Sequence, residues 1–150
     1  MEKNNNDSQS RKAPKFDDFI NKENFWCNLE SHINWNLLIK EFGETYSDKG
    51  QPDIPTKVMI GLYFIKCCED FTDEEVLDAF EENIYYQYLC GYKSIVFDAP
   101  CEEKNMRRWR KKVGEERLMD FLGPMIDSAL ESAGIEPRDY SIPENDINIQ

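Results

Sequence analysis

PTKVMIGLYFIKCC, residues Pro55–Cys68, is the stretch that decides the fold. The segment is apolar on nearly every side when it is drawn as a helix, and a helix of that kind has to be buried by its neighbours. Pro55 suits the first turn of a helix, where its missing N–H is not needed. The apolar run from Val58 to Ile65 is far shorter than the ~20 residues that cross a bilayer. The stretch therefore predicts the central, buried helix of a protein without a membrane span.

Shorter amphipathic segments lie on both sides of this predicted helix. Asn34 is a candidate N-cap for a helix that ends at Gly43. The apolar residues of that helix recur at i, i+3, i+4 and i+7, as Trp35, Leu38, Ile39 and Phe42. Thr72 and Glu75 form the T-x-x-E pattern of a capping box, which begins an acidic amphipathic helix. Further helical segments are predicted at Phe16–Leu29, Asn83–Cys90, Glu102–Val113 and Leu118–Ala129, the last with a kink near Gly123-Pro124.

Together these segments predict an all-α domain of about six short helices, with a helix-turn-helix-like arrangement, in residues 16–133. Residues 1–15 are polar and Asn-rich, and they predict a disordered lead. Residues 134–150 predict a linker or a flexible tail. Gly50 and Pro52 predict a loop over Tyr46–Ile54. The segment Tyr92–Ala99 contains SIVF, which fits either a short strand or an extended loop.

The segment KNMRRWRKK, Lys104–Lys112, concentrates positive charge on an acidic chain. It holds 6 of the 18 basic residues and no acid, so that 12 basic and 30 acidic residues elsewhere leave a charge of -18 against a total of -12. Met106, Trp109 and Val113 recur at i, i+3 and i+7 and predict the inner face, with the basic side chains outside. Because phosphate neutralisation supplies most non-specific binding energy, nucleic acid is the first candidate partner. The candidate DNA-binding residues are Lys104, Arg107, Arg108, Arg110, Lys111 and Lys112.

Two other interpretations of the basic segment stay open. It can be an ordinary solvated helix face, as most charged runs are. It can also be an electrostatic clamp that pairs with the acidic helix Asp73–Glu82 of the same chain. A nearby tyrosine cluster could stack on bases, but its helical spacing favours packing in the core. The cluster consists of Tyr85, Tyr86 and Tyr88.

No pattern of residues indicates catalysis or a cofactor. His32 is the only histidine and has no cysteine or carboxylate at ligand spacing, and neither a Gly-rich phosphate loop nor G-x-S-x-G is present. Five cysteines without C-x-x-C spacing predict reduced, buried thiols. The polar start MEKNNNDSQSRK lacks the apolar region of a signal peptide. We therefore predict a cytoplasmic protein without catalytic residues, metal, cofactor, membrane contact or small-molecule substrate.

Three blocks of the sequence carry a family pattern. Ile33–Lys66 contains INW, YSDKGQPDIP and MIGL; Phe71–Tyr92 contains TDEEV and ENIYYQYLCG; Pro100–Leu118 is PCEEKNMRRWRKKVGEERL. In order and spacing the blocks resemble the amino-terminal domain of bacterial insertion-sequence transposases of the InsH-like group. The sequence departs from that pattern at four positions. Gln51 replaces the usual Arg, Ile84 the usual Pro, and Lys104-Asn105 the usual Ser-Ser.

The resemblance implies DNA binding, assembly or regulation. Such transposases pair this helical domain with a DDE catalytic domain, whose three metal-binding carboxylates have no counterpart in this sequence, so that the chain alone is not expected to be an enzyme. The implied partner is DNA at the terminal inverted repeats of the element, with full-length transposase or a second copy as further partners. The alternative is a protein–protein interaction module, or a regulatory relic of a transposase, that does not bind DNA directly.

Overall fold

The computed structural model describes residues 14–43 and 54–132, and within these ranges it contains seven α-helices and one short 3-10 helix, Phe16–Asp18. The α-helices are α1 (Phe25–His32), α2 (Trp35–Phe42), α3 (Thr56–Glu69), α4 (Asp73–Glu82), α5 (Ile84–Leu89), α6 (Glu103–Val113) and α7 (Glu115–Ser132). These ranges contain no strand, only an isolated antiparallel bridge between Lys15 and Ser94. The predicted all-α class is confirmed, whereas the helix-turn-helix-like arrangement stays a prediction.

Helix α3 lies at the centre of the domain, as its apolar sequence predicts. Every residue from Val58 to Cys68 is buried. The helix contacts α2, α4, α5 and α7. A helix that is apolar all round gains its stability from such complete burial. These four helices are therefore positioned against α3, and α1 and α6 pack on them in turn.

The predicted helix starts are confirmed by their capping hydrogen bonds. The N–H of Leu37 donates to the Oδ1 of Asn34 at 3.1 Å. In the capping box, the N–H of Glu75 donates to Thr72 Oγ1 at 3.1 Å, and the N–H of Thr72 donates to Glu75 Oε1 at 2.9 Å. These bonds satisfy N–H groups that the first turn of a helix cannot pair internally.

Several predicted segments lie wholly or mostly outside the described residues. Only Pro14 and Lys15 of the predicted lead are described, only Ile54 of the predicted loop Tyr46–Ile54, and none of residues 134–150. The segment Tyr92–Ala99 has no strand beyond the single bridge at Ser94, and α7 continues through Pro124.

The tyrosines of α5 pack against the protein itself. Tyr86 is buried, and its ring meets Trp26 edge to face at a centroid distance of 5.1 Å. Its hydroxyl donates to Glu69 Oε2 at 2.6 Å. Tyr85 and Tyr88 are partly buried, and the Tyr85 hydroxyl accepts a hydrogen bond from the N–H of Asn21 at 3.1 Å. Packing therefore accounts for the helical spacing of these residues.

Gly61 lies where α3 passes the end of α5, and it leaves no room for a side chain. A Cβ at Gly61 would lie 2.7 Å from Cys90 Sγ and 3.0 Å from Cys90 Cα. We expect Gly61→Ala to lower the free energy of unfolding by about 1–3 kcal/mol, because overpacking displaces backbone. Urea denaturation measures this loss, and a stabilising Gly61→Ala would contradict the packing.

No disulfide bond is present among the described residues, and four of the five cysteines are buried. Burial, with smaller contributions from Asp73 and Glu102, raises the pKa of the partly buried Cys101 thiol to about 11. Because the thiolate is the reactive form, alkylation of Cys101 at pH 8 should be roughly a hundredfold slower than that of an ordinary cysteine. Mass spectrometry of iodoacetamide-treated peptides measures this rate. Labelling as fast in the folded as in the urea-unfolded chain would contradict the expectation.

Candidate nucleic-acid interface

Helix α6 carries the basic segment and has well-defined ends. At its start, Glu102 and Asn105 form a reciprocal capping box, in which the N–H of Glu102 donates to Asn105 Oδ1 at 2.8 Å. At its end, Gly114 has φ 90°, which favours glycine, and its N–H donates to the carbonyl of Arg110 at 3.0 Å. The acid Glu103 in the first turn and the bases in the last turn both suit the helix dipole.

One face of α6 is buried against the core. Met106, Trp109, Arg110 and Val113 are 0%, 4%, 6% and 6% exposed, and they follow the helical spacing i, i+3, i+4, i+7. The Trp109 ring packs against Tyr63 at a centroid distance of 5.6 Å and against Phe42 at 6.1 Å. The apolar inner face predicted from the sequence is confirmed, but it contains one residue more than predicted.

That additional residue is Arg110, and the prediction that it lies on the outer face is wrong. Its guanidinium points inward, where Nη1 donates to the Tyr63 hydroxyl at 2.6 Å and to Asp73 Oδ1 at 3.2 Å. A second donor, Nη2, reaches Asp73 Oδ2 at 3.3 Å. Burial alone would lower the pKa of Arg110, but Tyr63 and Asp73 together outweigh it and raise this pKa above its usual value. Arg110 is therefore a charged residue of the core and not of the exposed face of α6.

The contacts of Arg110 belong to a buried polar cluster that joins three helices. Lys66 of α3, which is 0% exposed, donates to the same Asp73 Oδ1. Tyr63, also of α3, donates its hydroxyl to the carbonyl of Met106 at 3.1 Å. Buried charges are stable only when other charges and hydrogen bonds compensate them. The cluster therefore fixes the rotation of α6 about its own axis relative to α3 and α4. For Arg110, the contact with Asp73 of α4 is the intramolecular pairing that the sequence left open.

The other five candidate residues lie together on the opposite face, which we call the cationic face. It consists of Lys104, Arg107, Arg108, Lys111 and Lys112. Arg107 is partly buried, and the other four are exposed. Two acids lie close to it, with Lys104 Nζ 3.6 Å from Glu102 Oε1 and Arg107 Nη1 3.9 Å from Glu103 Oε1. Exposed pairs of this length hold their cations weakly. Arg108 and Lys111 form no ion pair with any residue that the structure describes.

Sequence reasoning missed the buried cluster, although one signal was present. Arg110 lies four residues after Met106 and three before Val113, so it shares their face by helical spacing alone. Lys66 lies inside the apolar helix α3, and Asp73 is the first residue of α4. Nothing local indicates that these three residues meet, because the contact joins helices that are distant in sequence.

Two other kinds of feature, a metal site and a membrane-spanning helix, are absent from the described residues. Within residues 14–43 and 54–132, no three His, Cys, Asp or Glu side chains come together in an arrangement that could hold a metal ion. Over the same ranges, no helix is both long and apolar enough to cross a membrane. The His32 ring lies 2.8 Å, through Nδ1, from the carbonyl of Asn28.

Comparison with known proteins places these features in a family. A family model described as a transposase domain (DUF772) matches residues 14–112, a range that includes the whole cationic face. A relative from Rhizobium meliloti, "Uncharacterized protein ORF8 in nfe locus", is 30% identical over 136 residues. The aligned region covers 91% of this chain and 66% of that protein, so the chain spans slightly less than two thirds of its length. No solved structure matches significantly. From the match over residues 14–112, the chain belongs to the DUF772 transposase domain family.

Proposed function

We propose that this chain is a DNA-binding and assembly domain that contacts the ends of an insertion sequence through the cationic face of α6. The observation that carries the proposal is the separation of the two faces of this helix. Four residues fix α6 to the core, and five cations lie on the side turned away from them. We assign the chain DNA binding and no catalytic residue.

The dimensions of the cationic face suit duplex DNA. With 3.6 residues per turn, its five positions cover about 140° of the circumference of the helix. With a rise of 1.5 Å per residue, Lys104 and Lys112 lie about 12 Å apart along the axis. An α-helix with its side chains is about 10–12 Å in diameter, and the major groove of B-DNA, about 12 Å wide, admits one such helix. Lysine and arginine can neutralise phosphates on both sides of such a groove, and arginine can also donate to guanine.

The acidity of the whole protein does not prevent this contact. The net charge of -12 weakens long-range attraction to DNA over most of the surface. At physiological salt, however, the screening length is only about 8 Å. A face with five cations therefore acts nearly independently of carboxylates on the far side of the domain. The same acidity should disfavour every orientation on DNA other than the one that presents α6.

Titration with labelled duplexes tests this proposal. We expect binding to duplexes that tile the genomic sequence on both sides of the gene, with the highest affinity at the ends of the element. The logarithm of the affinity should fall linearly with the logarithm of the salt concentration, as it does when cations neutralise phosphates. Fluorescence anisotropy measures both. Absence of binding at low salt, with retention of full-length transposase in a nuclease-treated pull-down, would favour the assembly module that does not bind DNA.

A further inference from the structure

The three arginines of α6 differ in whether their guanidinium groups are engaged within the protein. Arg110 is buried in the polar cluster described above. Arg107 is partly buried, and its Nη1 lies 3.9 Å from Glu103 Oε1. Arg108 is exposed, and its guanidinium forms no ion pair with any residue that the structure describes. Of the three arginines, Arg108 is therefore the one whose donors are available to a ligand.

Arg108 also lies near the centre of the cationic face. Successive residues of an α-helix are about 100° apart around its axis. By this spacing, Arg107 and Lys112 lie at the two edges of the face, each about 70° from its middle, whereas Arg108 lies about 30° from the middle. Along the axis, Arg108 lies about 6 Å from both Lys104 and Lys112. A helix in the major groove turns the middle of its exposed face to the base edges and its two sides to the phosphates.

The donors of an arginine match the major-groove edge of guanine and of no other single base. The guanidinium has five N–H donors in a planar fork and no acceptor. Guanine presents two acceptors, O6 and N7, whereas adenine presents one acceptor beside a donor, thymine one acceptor beside a methyl group, and cytosine a donor. Two parallel hydrogen bonds from one arginine therefore select guanine. A lysine in the same place is a compact charge without this fixed fork.

We propose that Arg108 determines the sequence specificity of the domain by donating two hydrogen bonds to O6 and N7 of one guanine in the major groove. Arg107 and Lys112, at the edges of the cationic face, contact phosphates of the two strands. Phosphate contacts fix the register of a protein on DNA, and contacts to base edges carry the sequence information. This inference rests on the proposed function, because it names the residue of the cationic face that reads a base.

Binding to duplexes with single base-pair changes tests the proposal. The probe is the genomic duplex that the wild-type chain binds most tightly, together with versions in which each G·C pair is changed to A·T in turn. At one of these positions, the change should lower the affinity of the wild-type chain roughly tenfold or more. Arg108→Ala should bind the original and the changed duplex with nearly equal affinity at that position, and should respond as wild type at the others. Fluorescence anisotropy measures each affinity.

Lys112→Ala is the matched control, because it removes one exposed cation from the edge of the same face. It should weaken binding to all duplexes by the same factor and keep the discrimination of the wild-type chain. Alanine is the best helix former, so both variants should keep the fold, which circular dichroism verifies. The salt dependence does not separate the two variants, because each lacks one cation near the phosphates.

A modified base tests the acceptor atom directly. The analogue 7-deazaguanine lacks N7 but still pairs with cytosine. At the position that Arg108 reads, it should lower the affinity of the wild-type chain several-fold and leave that of Arg108→Ala unchanged. If the wild-type chain binds but Arg108→Ala discriminates equally at every position, the inference is overturned while the proposed function stands. A wild-type chain that binds no duplex at low salt would contradict both.

Discussion

Asp73→Ala should destabilise the domain by about 3–5 kcal/mol, the usual cost of breaking a buried ion pair. The carboxylate of Asp73 is 2% exposed and accepts hydrogen bonds from both Lys66 and Arg110. Its removal takes away the acid to which both buried cations donate. Since many small domains have only 5–15 kcal/mol of stability in total, this single change should lower the thermal midpoint strongly. Urea denaturation followed by circular dichroism measures the loss.

Asp78→Ala on the same helix is the matched control. Asp78 is exposed, so its removal changes the net charge equally but should alter stability by no more than about 0.5 kcal/mol. Similar effects of the two substitutions would show that the buried cluster contributes little. Arg110→Met gives a further comparison, because an apolar side chain of similar length can replace a buried ion pair with less loss than truncation of one partner.

The architecture could be predicted from the sequence because its signals are local. Asn34 and Thr72 mark helix starts through bonds to residues three positions away, and the apolar run in α3 requires burial whatever covers it. The cationic face was predictable for the same reason, since helical spacing places five of the six candidate DNA-binding residues on one side of the helix. Such signals need no knowledge of tertiary contacts.

The role of Arg110 could not be predicted in that way. Its type favoured the surface, its position favoured the core, and only the presence of Asp73 decides between the two. Asp73 is 37 residues away in the sequence and on a different helix. The same holds for the loop between α5 and α6, because the bonds that fix it, from the Gln87 amide to Val96 and from Ala99 to the Glu81 carboxylate, join separate segments. Contacts between polar side chains of distant segments are where single-sequence reasoning fails.

Neutralising the centre of the cationic face should reduce DNA affinity about a hundredfold at physiological salt, while leaving the fold intact. The variant is Lys104→Gln, Arg108→Gln and Lys111→Gln, three exposed positions that no core contact requires. Each phosphate contact contributes about 0.9 to the slope of log affinity against log salt, so the slope should become shallower by about 2.7. Arg110 is excluded, since its substitution would act through stability.

A charge-matched control separates a local contact from general electrostatics. Lys22→Gln, Lys40→Gln and Lys93→Gln remove the same charge from exposed positions outside α6. This variant should keep an affinity within a few-fold of wild type and an unchanged salt slope. The reason is that salt screening limits the electrostatic reach of each lysine to about 8 Å. Anisotropy titrations at several salt concentrations measure both variants. Equal losses in the two would mean that DNA responds only to net charge, and the cationic face of α6 would then have no special part in binding.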